Sequence, residues 1–139
     1  DTLASLLDYL ASFATEFLDR AGITLRMNIA TGMPDLPLDA TVRHAVFLAV
    51  REAFNNIVKH SAAKSAWLDA SLTDNTLEIL VQDDGKGVDD YAQSRGHGLS
   101  NFHVRMQTCK GEASVTNREG GGTVVRFLVP VLAPGTLNT

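Results

Sequence analysis

The chain has 139 residues, 45% of them hydrophobic, and a formal net charge of −4. That is enough for one buried core and too little for two, while the longest apolar run, "AVFLAV" at 45–50, falls far short of the roughly 18 residues of a membrane-spanning helix. No signal peptide is evident, and no cluster of Lys and Arg offers an electrostatic grip on nucleic acid. The lone cysteine, Cys109, leaves no internal disulfide and no Cys-based zinc site, which fits a reducing compartment. Asp1 in place of Met is the start expected of a piece of a longer polypeptide or of a processed chain.

In chain order, Leu3, Leu6, Leu7, Leu10, Phe13, Phe17 and Leu18 recur at helical spacing and predict an amphipathic leading helix, with Gly22 as its stop. "ITLRMNIA" then alternates Ile23, Leu25, Met27 and Ile29 with Thr24, Arg26 and Asn28, the pattern of a half-buried strand. After a loop with Pro34 and Pro37, Asp39 is a good N-cap for a long helix carrying Val42, Val46, Ala49, Val50, Ala53, Phe54, Ile57 and Val58, ending near His60. "SAWLDASLT" and "TLEILVQD" read as an antiparallel pair turned through Asp74 and Asn75.

The stretch 84–98 has four glycines, scattered charges and almost no apolar residues, as a loop would. A helix over about 99–109 follows, then a second hairpin from "EASVTNR", "EGGG" and "TVVRFLVPV". The expected fold is α+β in two layers: a mixed, mostly antiparallel sheet of about five strands, covered on one face by helices. Neither an internal repeat nor a low-complexity tract interrupts it.

Four places could carry chemistry. Glu52, Asn56, Lys59 and His60 fall on one stripe of the long helix, bordering its apolar face. A carboxylate, an amide oxygen and two potential cations suit a hydrated divalent metal with phosphate oxygens; a solvated flank with an intrahelical ion pair is the plainer reading. "VQDDGKGV" puts Asp83 at the end of a buried strand, with Gly85 and Gly87 letting backbone approach a ligand closely, although Asp-Gly is also ordinary turn chemistry. The glycine after Asp83 comes too early for a calcium loop.

In "GHGLSNFHVR" two glycines lead into a helix start, where backbone N–H groups and the helix dipole favour an anion, and Arg105 lies about two turns in. A flexible loop before an ordinary helix accounts for the same residues. "GGGTVV" is explained by a glycine-rich hairpin alone. His44 and His103 have no partners at metal-ligand spacing, and no nucleophile and base suggest a triad.

Taken in order, Glu52-x-x-x-Asn56-x-x-Lys59-His60, Asp83-x-Gly85-x-Gly87, Gly96-x-Gly98-Leu99 with Arg105, and Gly120-x-Gly122-Thr123 resemble the N, G1, G2 and G3 boxes of the GHKL superfamily. That group holds DNA gyrase, heat-shock chaperone ATPases, MutL proteins and sensor histidine kinases, and the resemblance spans roughly 23–131. "REAFNNIVKHS" and "GHGLSNFHVRM" are similar to the catalytic domains of histidine kinases of the nitrate-sensor type, whose N box begins with Glu and whose ATP lid is short. Eight residues, Val88 to Arg95, separate the G1 and G2 glycines here. Phe102 stands where that subfamily usually has Met.

The resemblance implies a Bergerat fold that binds ATP and Mg2+ and passes the γ-phosphoryl group to a histidine on a separate domain. Asp83 would accept from the adenine amino group, Thr123 would sit nearby through water, and Gly85 and Gly87 would leave room for the base. Asn56 would bind magnesium, Glu52 would be the catalytic polarising base, and Lys59 and His60 would meet the phosphates. Gly96, Gly98 and Leu99 would form the lid hinge and phosphate cradle, with Arg105 structural or on the phosphate side. An alternative in the same superfamily is an anti-sigma factor serine kinase, which is usually complete without an upstream acceptor helix; the absent Met and the apolar leading helix favour the first reading.

None of His44, His60, His97 or His103 has the acidic neighbour of a phosphoacceptor, so the chain alone is not expected to autophosphorylate. Residues 1–22 would then connect from an upstream dimerisation and phosphoacceptor segment, 23–131 form the catalytic domain and 132–139 a tail. The implied partners are that segment of the same polypeptide and, indirectly, a response regulator. The implied place is the cytoplasm, with a membrane anchor on the parent left open.

Overall fold

The computed structural model describes residues 2–87 and 98–131. Its first helix, α1 (Leu3–Arg20), starts at a capping box in which the Thr2 hydroxyl accepts from the Ser5 N–H and the Ser5 hydroxyl accepts from the Thr2 N–H. It ends in a Schellman motif: Gly22 takes φ +73°, its N–H donates to the Asp19 carbonyl, and the Ile23 N–H donates to Leu18. Leu3, Leu6, Leu7, Leu10, Ala14 and Leu18 are buried, while Phe13 and Phe17 sit half-buried, stacked on each other with Phe13 edge-on to Phe47. Burying each leucine contributes about 2 kcal/mol, so α1 is a wall of the common core.

The turn at Gly22 sends β1 (Thr24–Ile29) back along α1. Helix α2 (Ala40–Asn56) is capped by the Asp39 carboxylate, which accepts from the Thr41 N–H at 2.7 Å. Its apolar stripe of Ala45, Val46, Ala49, Val50, Ala53 and Phe54 is buried. The α-helix stops at Asn56 and continues as a π-helical turn, Ile57–Ser61, closed by Ala62 at φ +56°. The wider π turn advances less per residue than an α-helix, which bends the single stripe expected through Lys59 and His60: Lys59 is exposed and His60 half-buried.

Strands β2 (Ser65–Thr73) and β3 (Thr76–Asp83) form the expected hairpin, and Asp74 and Asn75 both take positive φ, 50° and 61°, as a type I′ turn requires. Helix α3 (Gly98–Gln107) and the hairpin of β4 (Glu112–Asn117) and β5 (Thr123–Pro130) follow among the described residues. The sheet order is β1-β2-β3-β5-β4. β1 runs parallel to β2, since the α2 crossover joins them, and the other pairs are antiparallel.

Ala66, Leu68 and Ala70 of β2, Leu77, Ile79 and Val81 of β3, and Val125, Phe127 and Val129 of β5 face the helices and are buried. Phe102 of α3 meets Phe127 edge to face, ring centroids 5.4 Å apart. The opposite face has no helix among the described residues; there the Arg118 guanidinium lies 4.0 Å from the Trp67 ring. The α+β reading therefore holds, with five strands and helices on one face. Gly96, most of the 84–98 loop and the 132–139 tail lie outside the described residues.

Candidate functional site

Among the described residues four polar side chains are buried: Asn56, Ser61, Asp83 and Thr123. Buried polar groups are costly unless something satisfies them, so where they gather is informative. Asp83 ends β3 and lies opposite Thr123, the first residue of β5, both on the helix-facing side at one end of the sheet. Asn56 ends α2 and Ser61 ends the π turn that follows it.

Backbone contacts bring these elements together. The Lys86 N–H donates to the Ser61 carbonyl at 2.8 Å, and a Cβ on Gly85 would stand 2.0 Å from that same oxygen. Gly85 is thus demanded by the π turn packed against it, a reason independent of any ligand. The Ser61 hydroxyl donates to Ile57 O at 2.7 Å and accepts from the Ala63 N–H, fixing the turn that presents the carbonyl. Gly122 takes φ +106°, and a Cβ there would lie 1.8 Å from the Asp83 carbonyl. Beside it the Thr123 hydroxyl donates to Lys86 O, and a Cβ on Gly87 would fall 2.7 Å from Asn117 Oδ1.

Asp83 and Asp84 divide the work of "DD". The Asp83 carboxylate, 3% exposed, turns inward and accepts from the Gly85 N–H at 2.9 Å. That of Asp84 turns outward and accepts from the N–H groups of both Lys64 and Ser65, each at 2.9 Å, tying the end of β3 to the start of β2. The Ser65 N–H above all, and then that of Lys64, holds the Asp84 carboxyl below its ordinary range despite partial desolvation.

Glu52, one turn before Asn56 on α2, faces α3 instead of solvent. Its two carboxylate oxygens accept from Arg105 Nε at 3.2 Å and Asn101 Nδ2 at 3.4 Å. Arg105 is therefore committed to the carboxylate across the interface, a partner that chain separation hid. Gly98 and Leu99 are the first residues of α3, the helix whose Asn101 and Arg105 contact Glu52.

Glu52, Asn56, Lys59 and His60 thus belong to one helical element, which meets the Asp83-Gly85-Gly87 loop through Ser61 and meets α3 through Arg105. Thr123 closes the other side of Asp83. His44 and His103 are exposed, and no group of three metal-ligating side chains occurs among the described residues. Ser61, Asp84 and Asn101 were missed. Of these, Asp84 had a signal, since the second of two aspartates leaving a strand must face away from the first.

Residues 41–133 match the family described as histidine kinase-, DNA gyrase B-, and HSP90-like ATPase. The chain is 31% identical over 127 residues to an uncharacterized sensor-like histidine kinase of Chloroflexus aurantiacus, covering 84% of this chain and 21% of that protein. It is 32% identical over 113 residues to a sensor protein of Haemophilus influenzae named as a NarQ homologue, covering 80% of this chain and 20% of that protein. It therefore spans about a fifth of the length of these relatives. The catalytic domain of the histidine kinase ThkA has the same fold, with a TM-score of 0.74 at 15% identity and 94% of each chain covered. The chain belongs to the histidine kinase-, DNA gyrase B- and HSP90-like ATPase family, on the branch of the sensor histidine kinases.

Proposed function

We propose that this chain is the ATP-binding catalytic domain of a two-component sensor histidine kinase, which binds Mg-ATP under a short lid and transfers the γ-phosphoryl group to a histidine on another domain. The observation that carries the reading is the gathering of Asn56, Ser61, Asp83 and Thr123 at one corner, where three of the four buried polar residues are candidate ligand contacts. The kinase names of the relatives point the same way.

In this reading the inward Asp83 carboxylate accepts from the adenine amino group, with Thr123 beside it. Gly85 and Gly87 keep the approach to the base clear, while Lys59, His60, Gly96, Gly98 and Leu99 bind the phosphates. The donor set also fits magnesium: Asn56 offers an amide oxygen and Glu52 a carboxylate one helical turn before it. Magnesium, when bound, neutralises phosphate charge as it builds during transfer. Glu52 polarises the incoming imidazole, and its contacts to Arg105 and Asn101 keep the carboxylate aimed across α3 until then.

Most of the rate comes from positioning and charge stabilisation. Residues 23–131 carry the nucleotide site in this reading, and 1–22, whose helix is a wall of the same core, lead in from the dimerisation and phosphoacceptor domain of the same polypeptide. A response regulator receives the phosphoryl group afterwards, in the cytoplasm. Among the described residues no helix is long and apolar enough to cross a membrane.

Calorimetry with ADP and magnesium on the wild type and Asp83→Asn tests the site. Binding weakened at least about tenfold, or roughly 1.4 kcal/mol, is the expected result for the variant, and equal binding by both would sink the adenine assignment. Asn56→Ala should abolish the magnesium-dependent part of binding while Asn55→Ala, half-buried beside Phe13 and Arg51, leaves it intact. The reverse pattern would mean that the wrong asparagine faces the site.

A further inference from the structure

The two long sides of the sheet are edges, and one of them is open in an unusual way. Among the described residues β1 pairs with β2 alone. The N–H of Thr24 donates to Lys64 O and that of Ala30 to Ala70 O, so even-numbered residues turn their backbone inward. By the period of two, Leu25, Met27 and Ile29 turn theirs to the outer edge. Natural edges are commonly blunted by proline, lysine or a bulge. "TLRMNI" has no proline or lysine and pairs with β2 over six residues without a bulge, and its Arg26 lies on the opposite face from Met27. Met27 itself is 46% exposed.

Helix α1 runs antiparallel beside this edge and makes it a trough. A cleft of about 440 Å3 opens between Thr15, Asp19 and Leu25 at one end. Another of about 190 Å3 opens between Asp8, Ile29 and Met33 at the other. Asp8, Thr15 and Asp19 are seven and four residues apart, so they share one flank of α1. Both aspartates are exposed, and neither has an ion-pair partner among the described residues. The trough thus combines a row of outward backbone groups, an apolar floor of Leu25, Met27 and Ile29, and an acidic wall.

We propose that the β1 edge is a docking site for an extended cationic segment of a partner protein, which adds as a sixth strand and sets alternate Lys or Arg side chains against Asp8 and Asp19. Backbone pairing supplies the affinity and the alternating side chains the selectivity. Charge decides against a second copy as occupant: antiparallel β1–β1 pairing would bring two acidic α1 flanks together, and like charges facing one another oppose association. The proposal does not depend on nucleotide, so its failure and the failure of the kinase reading are separate events.

The test is fluorescence anisotropy of the 139-residue chain with a labelled heptapeptide of alternating Lys and Val, with the Glu-Val counterpart as control. The Lys-Val peptide should bind saturably and weaken with salt, as an exposed charge interaction does. Met27→Pro removes an outward N–H and leaves the β2 ladder whole, so binding should fall at least about tenfold with an unchanged melting temperature. Asp8→Asn with Asp19→Asn, which disturbs no backbone, should cost roughly three- to tenfold and flatten the salt dependence. The proposal is overturned by no binding by the wild type, by equal binding by Met27→Pro or the Asp8/Asp19 variant, or by amide shifts on peptide addition that avoid 24–29. A Met27-dependent dimer in sedimentation would overturn it in favour of self-pairing.

Discussion

The corner around Asp83 and the α2–α3 seam around Glu52 hold neighbouring parts of one candidate site by opposite means. At the corner, backbone meets backbone: the carbonyls of Ser61 and Asp83 occupy the space that a Cβ on Gly85 or Gly122 would fill. At the seam, side chain meets side chain: Glu52 accepts from Arg105 and Asn101, at 3.2 and 3.4 Å, with the Arg105 and Glu52 side chains 35% and 22% exposed. The corner can change only by moving the chain, whereas the seam can exchange partners by rotating χ angles. A base-recognition pocket benefits from the first property and a phosphate-side group that must engage and release benefits from the second.

Gly122→Ala is the strongest way to break the contrast. It adds a Cβ 1.8 Å from the Asp83 carbonyl at a φ of +106°, combining a left-handed strain of about 1–3 kcal/mol with a backbone clash. A loss of at least about 3 kcal/mol in urea unfolding is expected, and Gly85→Ala, which meets Ser61 O at 2.0 Å without positive φ, should cost somewhat less, about 2–3 kcal/mol. If either alanine variant unfolds like the wild type, the corner is not the rigid element described.

The seam should behave differently under the same measurement. A double-mutant cycle of Glu52→Gln and Arg105→Ala should give a coupling of no more than about 1 kcal/mol, because partly exposed pairs are screened by water and salt. The coupling should shrink further in high salt. A coupling comparable to the glycine effects would erase the distinction between the two regions.

The same division explains what was legible in the sequence. Elements set by local chemistry could be read from it: Asp39 as N-cap, Gly22 as helix stop, Asp74-Asn75 as a turn with two positive φ values, and the leucine spacing of α1. Asp83 was legible because an acid ending a buried strand is conspicuous. Gly85 was noticed for the right property, close approach, but the approaching group is the Ser61 carbonyl, which no spacing rule reveals. The π turn was hidden because "IVKHS" continues the helical apolar pattern, and only its packing on the Lys86 backbone shows where the α-helix ends. Arg105 and Glu52 are 53 residues apart, and their pairing follows from how α3 crosses α2.

The smallest effect compares two carboxylates at this end of the molecule and on the open face of the sheet. Asp84, held by the N–H groups of Ser65 and Lys64, has its pKa lowered from the ordinary 3.8, whereas burial raises that of Asp69, partly offset by the hydrogen bond from Gln82. A lowered folded-state pKa means stability that is present above the unfolded value and lost as pH falls through the folded one. A raised folded-state pKa on a carboxyl means the reverse: stability is lost as pH rises through the folded value, since the charged form is penalised. Between about pH 3 and pH 7, the deficit of Asp84→Ala relative to wild type should therefore grow with rising pH and level off. Asp69→Asn, which keeps an acceptor for Gln82 and never ionises, should gain on the wild type over the same range. Parallel pH profiles for the two variants would show that the backbone clamp on Asp84 does not distinguish it from a carboxylate held by a side chain alone.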